Sequence, residues 1–95
     1  MGLTDKSFFR QSLEHMEKYK EPYYSFLITL TSHFPFDNDR KYYSSFDVGK
    51  YKDTFLGNYL EVIHYTDEAL GEFIKELESR GILDRSVLAV YGDHF

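Results

Sequence analysis

The chain has 95 residues, 42% of them hydrophobic and 28% charged, and a chain this short buries only about 60–65% of its unfolded surface, which excludes a second independent core. Sixteen acidic against eleven basic residues give a net charge of -5 with no Lys/Arg cluster, which excludes a nucleic-acid backbone as partner, and the composition lacks the signature of disorder. Zero cysteines exclude disulfides and thiolate chemistry, and no apolar run approaches the roughly 20 residues that span a bilayer.

Met1 to Asp5 carries no basic-then-apolar leader, so the chain reads as soluble, without signal or transmembrane segment. Thr4 is placed as an N-cap, with Asp5 in the dipole-favoured first turn and Leu3 and Phe8 spaced as a hydrophobic staple. Phe9, Leu13, Met16 and Lys20 share one face, and Glu21-Pro22 stops the pattern, which predicts a helix over 5–20. Tyr23 to Thr31 is aromatic and β-branched with nearly continuous apolar character, the pattern of a buried parallel strand. Asp37 through Lys52 is polar, aromatic and irregular, a long loop whose Tyr42, Tyr43, Phe46 and Tyr51 are expected to pack it down rather than form a lid.

Asp53 is placed as the cap of a second helix. There Leu56, Tyr59, Leu60, Ile63, Thr66, Leu70, Phe73, Ile74 and Leu77 keep three-and-four spacing, and Arg80-Gly81 makes the stop. Ser86 to Tyr91 reads as a second short, fully buried strand, followed by Gly92-Asp93-His94-Phe95. The order is one βαβ unit with parallel strands and a preceding helix, hence an α/β fold. Two parallel strands and two helices make a poor domain, and nine tyrosines and nine phenylalanines need more cover than the chain supplies. A piece of a larger α/β domain is expected, with self-association through uncovered strand edges as a possible consequence.

In open parallel sheets ligands sit outside the carboxyl ends of the strands. The first strand delivers His33 there and the second delivers Asp93 and His94. A carboxylate oxygen and an imidazole nitrogen suit zinc or manganese but complete neither site. Gly92 permits a turn that splays the two side chains, and the competing reading is a solvated turn with a capping Asp93. His33 suits contact with a substrate phosphate, or the satisfaction of loop carbonyls. His15 and His64 on the helices read as structural or solvent-facing, and Lys75, Glu76, Glu78 and Arg80 as a solvated face with weak ion pairs. Asp67 and Glu68 are adjacent on a helix and point apart, which excludes a shared proton.

Three motifs in order carry a resemblance: Leu27-Ile28-Thr29-Leu30-Thr31-Ser32-His33-Phe34-Pro35-Phe36, then Asn58-Tyr59-Leu60 with Tyr65-Thr66-Asp67-Glu68-Ala69-Leu70-Gly71, then Val90-Tyr91-Gly92-Asp93-His94. Together they resemble the lipoteichoic acid synthase family of phosphoglycerol transferases, within the sulfatase and alkaline-phosphatase superfamily, from about residue 2 to the end. The resemblance implies that residues 1–95 are a fragment of a single sulfatase-like (alkaline-phosphatase-like) catalytic domain, incomplete at both ends. It implies a parent protein anchored in the membrane with its catalytic domain outside the cell. That protein would bind a divalent metal, usually Mn2+, and transfer glycerol phosphate from phosphatidylglycerol to a glycerol phosphate polymer through a threonine nucleophile.

Residue by residue, the resemblance makes Asp93 and His94 two metal ligands and His33 the contact to the phosphoglycerol group. The nucleophilic threonine matches nothing here, and Thr29, Thr31, Thr54 and Thr66 are not candidates, so the isolated chain is expected to be inactive. The alternatives are another superfamily member, such as a sulfatase, phosphoethanolamine transferase or phosphodiesterase, and a non-catalytic interaction module.

Overall fold

A helix survives in water when one face of it is buried, and two stretches of the chain meet that condition. The computed structural model describes residues 4–30 and 47–92, in which the elements are α1 (Asp5–Met16), a 3₁₀ turn (Gly49–Tyr51), α2 (Phe55–Ser79) and a second 3₁₀ turn (Leu83–Arg85). In α1 the residues Asp5, Phe9 and Leu13 form a buried row at i, i+4 spacing. In α2 the buried row is Val62, Tyr65, Ala69, Phe73 and Leu77. The rows meet: Phe9, Leu13, Ala69, Phe73, Leu77 and Ile82 make one core, with Met16, Leu27 and Leu70 packed against it. The rings of Phe9 and Phe73 stack at 4.7 Å between centroids, at the close end of the range for aromatic pairs.

The side-chain pairs fix the direction of the helices. Asp5 reaches Thr66, Phe9 stacks on Phe73, and Arg80 meets Glu17 at 2.8 Å, so α1 and α2 run parallel. Segment 23–30 then returns the other way. Its start lies where Glu21 pairs with Arg85 at 2.5 Å, and its end lies where the Leu30 N–H donates to Asp5.

Several expectations are corrected. The first helix ends at Met16 rather than at residue 20, and Lys18 and Tyr19 donate backward by three residues to His15 and Met16. Glu17 to Lys20 are all exposed, so no apolar anchor extends the helix. Thr4 occupies the N-cap position without a side-chain cap bond. The Lys6 N–H, one of the donors left open at a helix start, instead donates to the Tyr65 hydroxyl at 3.3 Å. Leu3, the other half of the expected staple, lies outside the described residues.

The cap of α2 is Thr54 rather than Asp53, and its hydroxyl accepts from the Gly57 N–H at 3.0 Å. The expected apolar stripe of α2 is displaced in its first half, for Leu56, Tyr59 and Ile63 are exposed while Gly57, Glu61 and Val62 are buried. Local packing, not periodicity, selects the buried row in this half: Gly57 lies against the Tyr51 carbonyl and Val62 clusters with Tyr65. The C-terminal stop holds as expected. Gly81 has φ +73°, and the Ile82 and Gly81 N–H groups donate to the carbonyls of Leu77 and Glu78 in a Schellman arrangement that also seats Ile82 on Leu77.

Among the described residues there is no strand, so the βαβ unit is not formed here. Segment 23–30 nevertheless alternates strictly, Tyr23, Ser25, Leu27 and Thr29 half-buried and Tyr24, Phe26, Ile28 and Leu30 exposed, the period of an extended chain with one face covered. Every residue from 86 to 92 is exposed, Val87 at 99%. A strand needs a neighbouring ladder and a second covered face, and the described residues supply neither.

Candidate functional site

A buried polar constellation gathers at the start of α1. Asp5 is 1% exposed; its Oδ1 accepts from the Leu30 N–H at 3.2 Å and its Oδ2 from the Thr66 hydroxyl at 3.3 Å. One carboxylate thereby joins α1, the end of segment 23–30 and the middle of α2. The positive end of the α1 dipole favours the negative charge there. Thr66, excluded as a nucleophile from the sequence, has its hydroxyl committed to this contact.

Beside it, the Lys6 ammonium bridges Glu68 at 3.4 Å and Glu72 at 3.6 Å and lies 5.2 Å from the centre of the Tyr65 ring. Burial by itself pushes the Lys6 pKa down, but Glu72, the hydrogen bond and charge of Glu68, and Tyr65 outweigh it and hold the group above its ordinary value. His64 is half-buried with Nδ1 3.6 Å from Glu68, a structural position as expected. His15 is exposed on α1. Asp67 is exposed while Glu68 turns toward Lys6, so the two carboxylates do point apart.

The opposite end of the helix pair holds an open recess lined by Met16, Tyr19, Tyr23, Arg80, Ile82 and Arg85. Its cations are already paired. Arg80 meets Glu17 and Glu76 at 2.8 and 3.2 Å, and Arg85 meets Glu21. The hydrogen bond that Arg80 donates to Glu17 raises the Arg80 pKa, and the one that Arg85 donates to Glu21 raises that of Arg85. The expected solvated face of weak ion pairs is present in part, since Arg80 ties the end of α2 back to the end of α1.

His33, Asp93 and His94 lie outside the described residues, as do Tyr42, Tyr43 and Phe46 of the long loop. Tyr51 is described, half-exposed, with its carbonyl accepting from the Thr54 N–H and hydroxyl; it belongs to the entry of α2. Among the described residues no group of three or more His, Cys, Asp or Glu side chains is arranged to hold a metal. Nor is any described helix long and apolar enough to cross a membrane. The residues that sequence reasoning missed are Asp5 in its bridging role and Gly57 at the helix entry. For Asp5 the available signal was an acid at the head of an i, i+4 apolar row, where another hydrophobe belongs.

A family model described as Sulfatase matches residues 1–95. Lipoteichoic acid synthase 1 of Bacillus subtilis (strain 168) is 45% identical over 94 residues, covering 99% of this chain and 15% of its own length. The lipoteichoic acid synthases of Staphylococcus aureus strains USA300 and MRSA252 are each 42% identical over 95 residues, covering all of this chain and 15% of theirs. The chain therefore spans a small part of the curated relatives it matches. No solved structure matches it.

Proposed function

This chain belongs to the sulfatase family, and on that premise we propose that it is part of the catalytic domain of a metal-dependent phosphoglycerol transferase acting on an anionic lipid headgroup. The observation that carries the reading is 45% and 42% identity, across essentially the whole chain, to proteins named lipoteichoic acid synthase. The donor is phosphatidylglycerol, the acceptor a growing glycerol phosphate polymer, and the parent protein is anchored in the membrane with this domain outside the cell. Residues 1–95 form one piece of a single sulfatase-like domain, and alone they are inactive because the nucleophilic threonine is not among them.

The chemistry follows from the ends of two segments. The Glu21–Arg85 pair links the chain just before segment 23–30 to the chain just before segment 86–92. With the period-two alternation of the first, this supports a pair of parallel strands once the rest of the domain supplies their neighbours. His33 follows the first segment and contacts the phosphoglycerol group. Asp93 and His94 follow the second, offering a hard oxygen and a borderline nitrogen suited to Mn2+. When bound, that ion neutralises charge on the transferring phosphoryl group and lowers the pKa of the nucleophile.

The test is manganese-dependent release of glycerol phosphate from a phosphatidylglycerol analogue by the full-length protein, with and without His94→Ala. The expected result is metal-dependent turnover that His94→Ala abolishes. Normal manganese binding with no turnover would assign the domain to another ester substrate of the superfamily, and no manganese binding would make it an interaction module.

A further inference from the structure

We propose that Asp5 is a register lock for segment 23–30: its hydrogen bond to the Leu30 N–H decides which face of the segment turns toward the helices, against the preference of the side chains themselves. Tyr23, Ser25, Leu27 and Thr29 are half-buried, while Tyr24, Phe26, Ile28 and Leu30 stand exposed at 86, 57, 62 and 45%. The outward set is the more apolar of the two, since the inward set spends two of its four places on hydroxyl side chains. A one-residue slip carries a whole set to the opposite face, so burial on the helix layer alone would choose the other register. Something other than apolar burial holds the observed one.

Asp5 is 1% exposed. Its Oδ1 accepts from the Leu30 N–H at 3.2 Å and its Oδ2 from the Thr66 hydroxyl at 3.3 Å, so the carboxylate that meets the segment is itself fixed to α2. In an extended chain successive N–H groups point to opposite edges. A slip of one residue would turn the nearest N–H away from Asp5 and leave a buried carboxylate short of a donor, which is costly. A slip of two would restore the donor and, with it, the observed face. The carboxylate therefore opposes the one class of slip that would bury the more apolar set. The other holds read register poorly. Leu27 packs against the core, but Phe26 or Ile28 could take that place after a slip, and the Glu21–Arg85 pair joins two side chains that are more than half exposed. No ladder adds to them among the described residues. The lock keeps the more apolar face for contacts outside the helix layer, the arrangement of a sheet covered on both faces.

The full chain has no cysteine of its own, so single thiols introduced by Tyr24→Cys, Ser25→Cys, Ile28→Cys and Thr29→Cys report the register through their labelling rates. With Asp5 in place, positions 24 and 28 are expected to label about tenfold or more faster than 25 and 29. Adding Asp5→Ala should lower that ratio by about tenfold or more, the worth of one charge-assisted hydrogen bond. The change should come from opposed movements, with 25 and 29 gaining reactivity while 24 and 28 lose it. Asp5→Asn keeps an acceptor for the Leu30 N–H and should hold the ratio near its starting value. Where Asp5→Ala does not fold, Thr66→Val frees the carboxylate from α2 only and should lower the ratio a few-fold in the same opposed way. A uniform rise at all four positions would show that Asp5 merely stiffens the segment, and it overturns the proposal. So does a ratio that Asp5→Ala leaves unchanged in a folded protein, or equal labelling of the two faces before Asp5 is altered.

Discussion

Replacing Gly57 by alanine tests how α2 begins. Gly57 is buried in the first turn of the helix, and a Cβ built on it would lie 1.9 Å from the Tyr51 carbonyl oxygen and 2.7 Å from its carbon. Ordinary contact begins near 3.4 Å, so the preceding 3₁₀ turn would have to retreat by about 1.5 Å. That carbonyl accepts from the Thr54 N–H at 3.1 Å and the Thr54 hydroxyl at 2.5 Å, and the same hydroxyl caps the Gly57 N–H. The retreat therefore strains the cap as well as the turn. Overpacking costs about 1–3 kcal/mol and a disturbed cap about 0.5–2, against a gain of about 1 kcal/mol for alanine over glycine in a helix. A net loss of about 0.5–4 kcal/mol follows. Gly71, exposed in the middle of the same helix with nothing within 4 Å of its built Cβ, is the internal control, and Gly71→Ala should stabilise by about 0.5–1 kcal/mol. Urea denaturation followed by circular dichroism reads both. If Gly57→Ala proves as stable as Gly71→Ala, the close approach of Tyr51 to the helix does not exist and the account of the α2 entry is refuted.

Leu13, 1% exposed in the α1–α2 core, should cost about 2–5 kcal/mol on replacement by alanine; the urea midpoint checks it, and a loss under 1 kcal/mol would mean that the two helices are not packed as described. Thr54→Ala should cost about 0.5–2 kcal/mol while Thr54→Ser costs little, and equal losses would remove the hydroxyl as the cap. The raised pKa of Lys6 makes its contribution depend on pH in a defined direction. The ammonium is bound more tightly in the folded state, so the stabilisation is complete below the ordinary lysine value of about 10.4 and fades as pH rises through the higher folded value. The melting-temperature difference between the unaltered protein and Lys6→Met should therefore be constant from about pH 8 to about pH 10 and shrink above it. A difference that grows over that alkaline range would reverse the sign and refute the Glu68 and Glu72 pairing.

What the sequence made legible is whatever depends on near neighbours. The Gly81 stop is a local device whose residues are all adjacent, and it stands as read. The existence of α2 follows from a 25-residue apolar pattern, and only its rotation was misplaced. Leu56, Tyr59 and Ile63 satisfy helical spacing as well as Val62, Tyr65 and Ala69 do, and the choice between the rows rests on contacts that spacing does not show: Ala69 joins Phe9 and Leu13 of α1 in the core, and Val62 clusters with Tyr65. Asp53 and Thr54 are both good caps by residue type. The structure selects Thr54 because Asp53 sits at φ +65°, in the left-handed region, with the turn reversing through it.

The expected strands show the same limit from the other side. Aromatic and β-branched runs at 23–31 and 86–91 state that a side chain fits a pleated, covered surface, and another segment has to provide that surface. Segment 23–30 has α1 and α2 beneath one face, and its alternation emerges there; segment 86–92 has no such support, and Val87, Val90 and Tyr91 stand exposed. The helices supply one layer, and the sheet layer depends on partners that the described residues lack. The residues proposed to carry the chemistry sit just past these two segments, so their convergence requires the sheet to assemble. Asp5 is the exception. Its contacts to Leu30 and Thr66 join α1, segment 23–30 and α2 within the described residues, so this junction stands before any strand pairs.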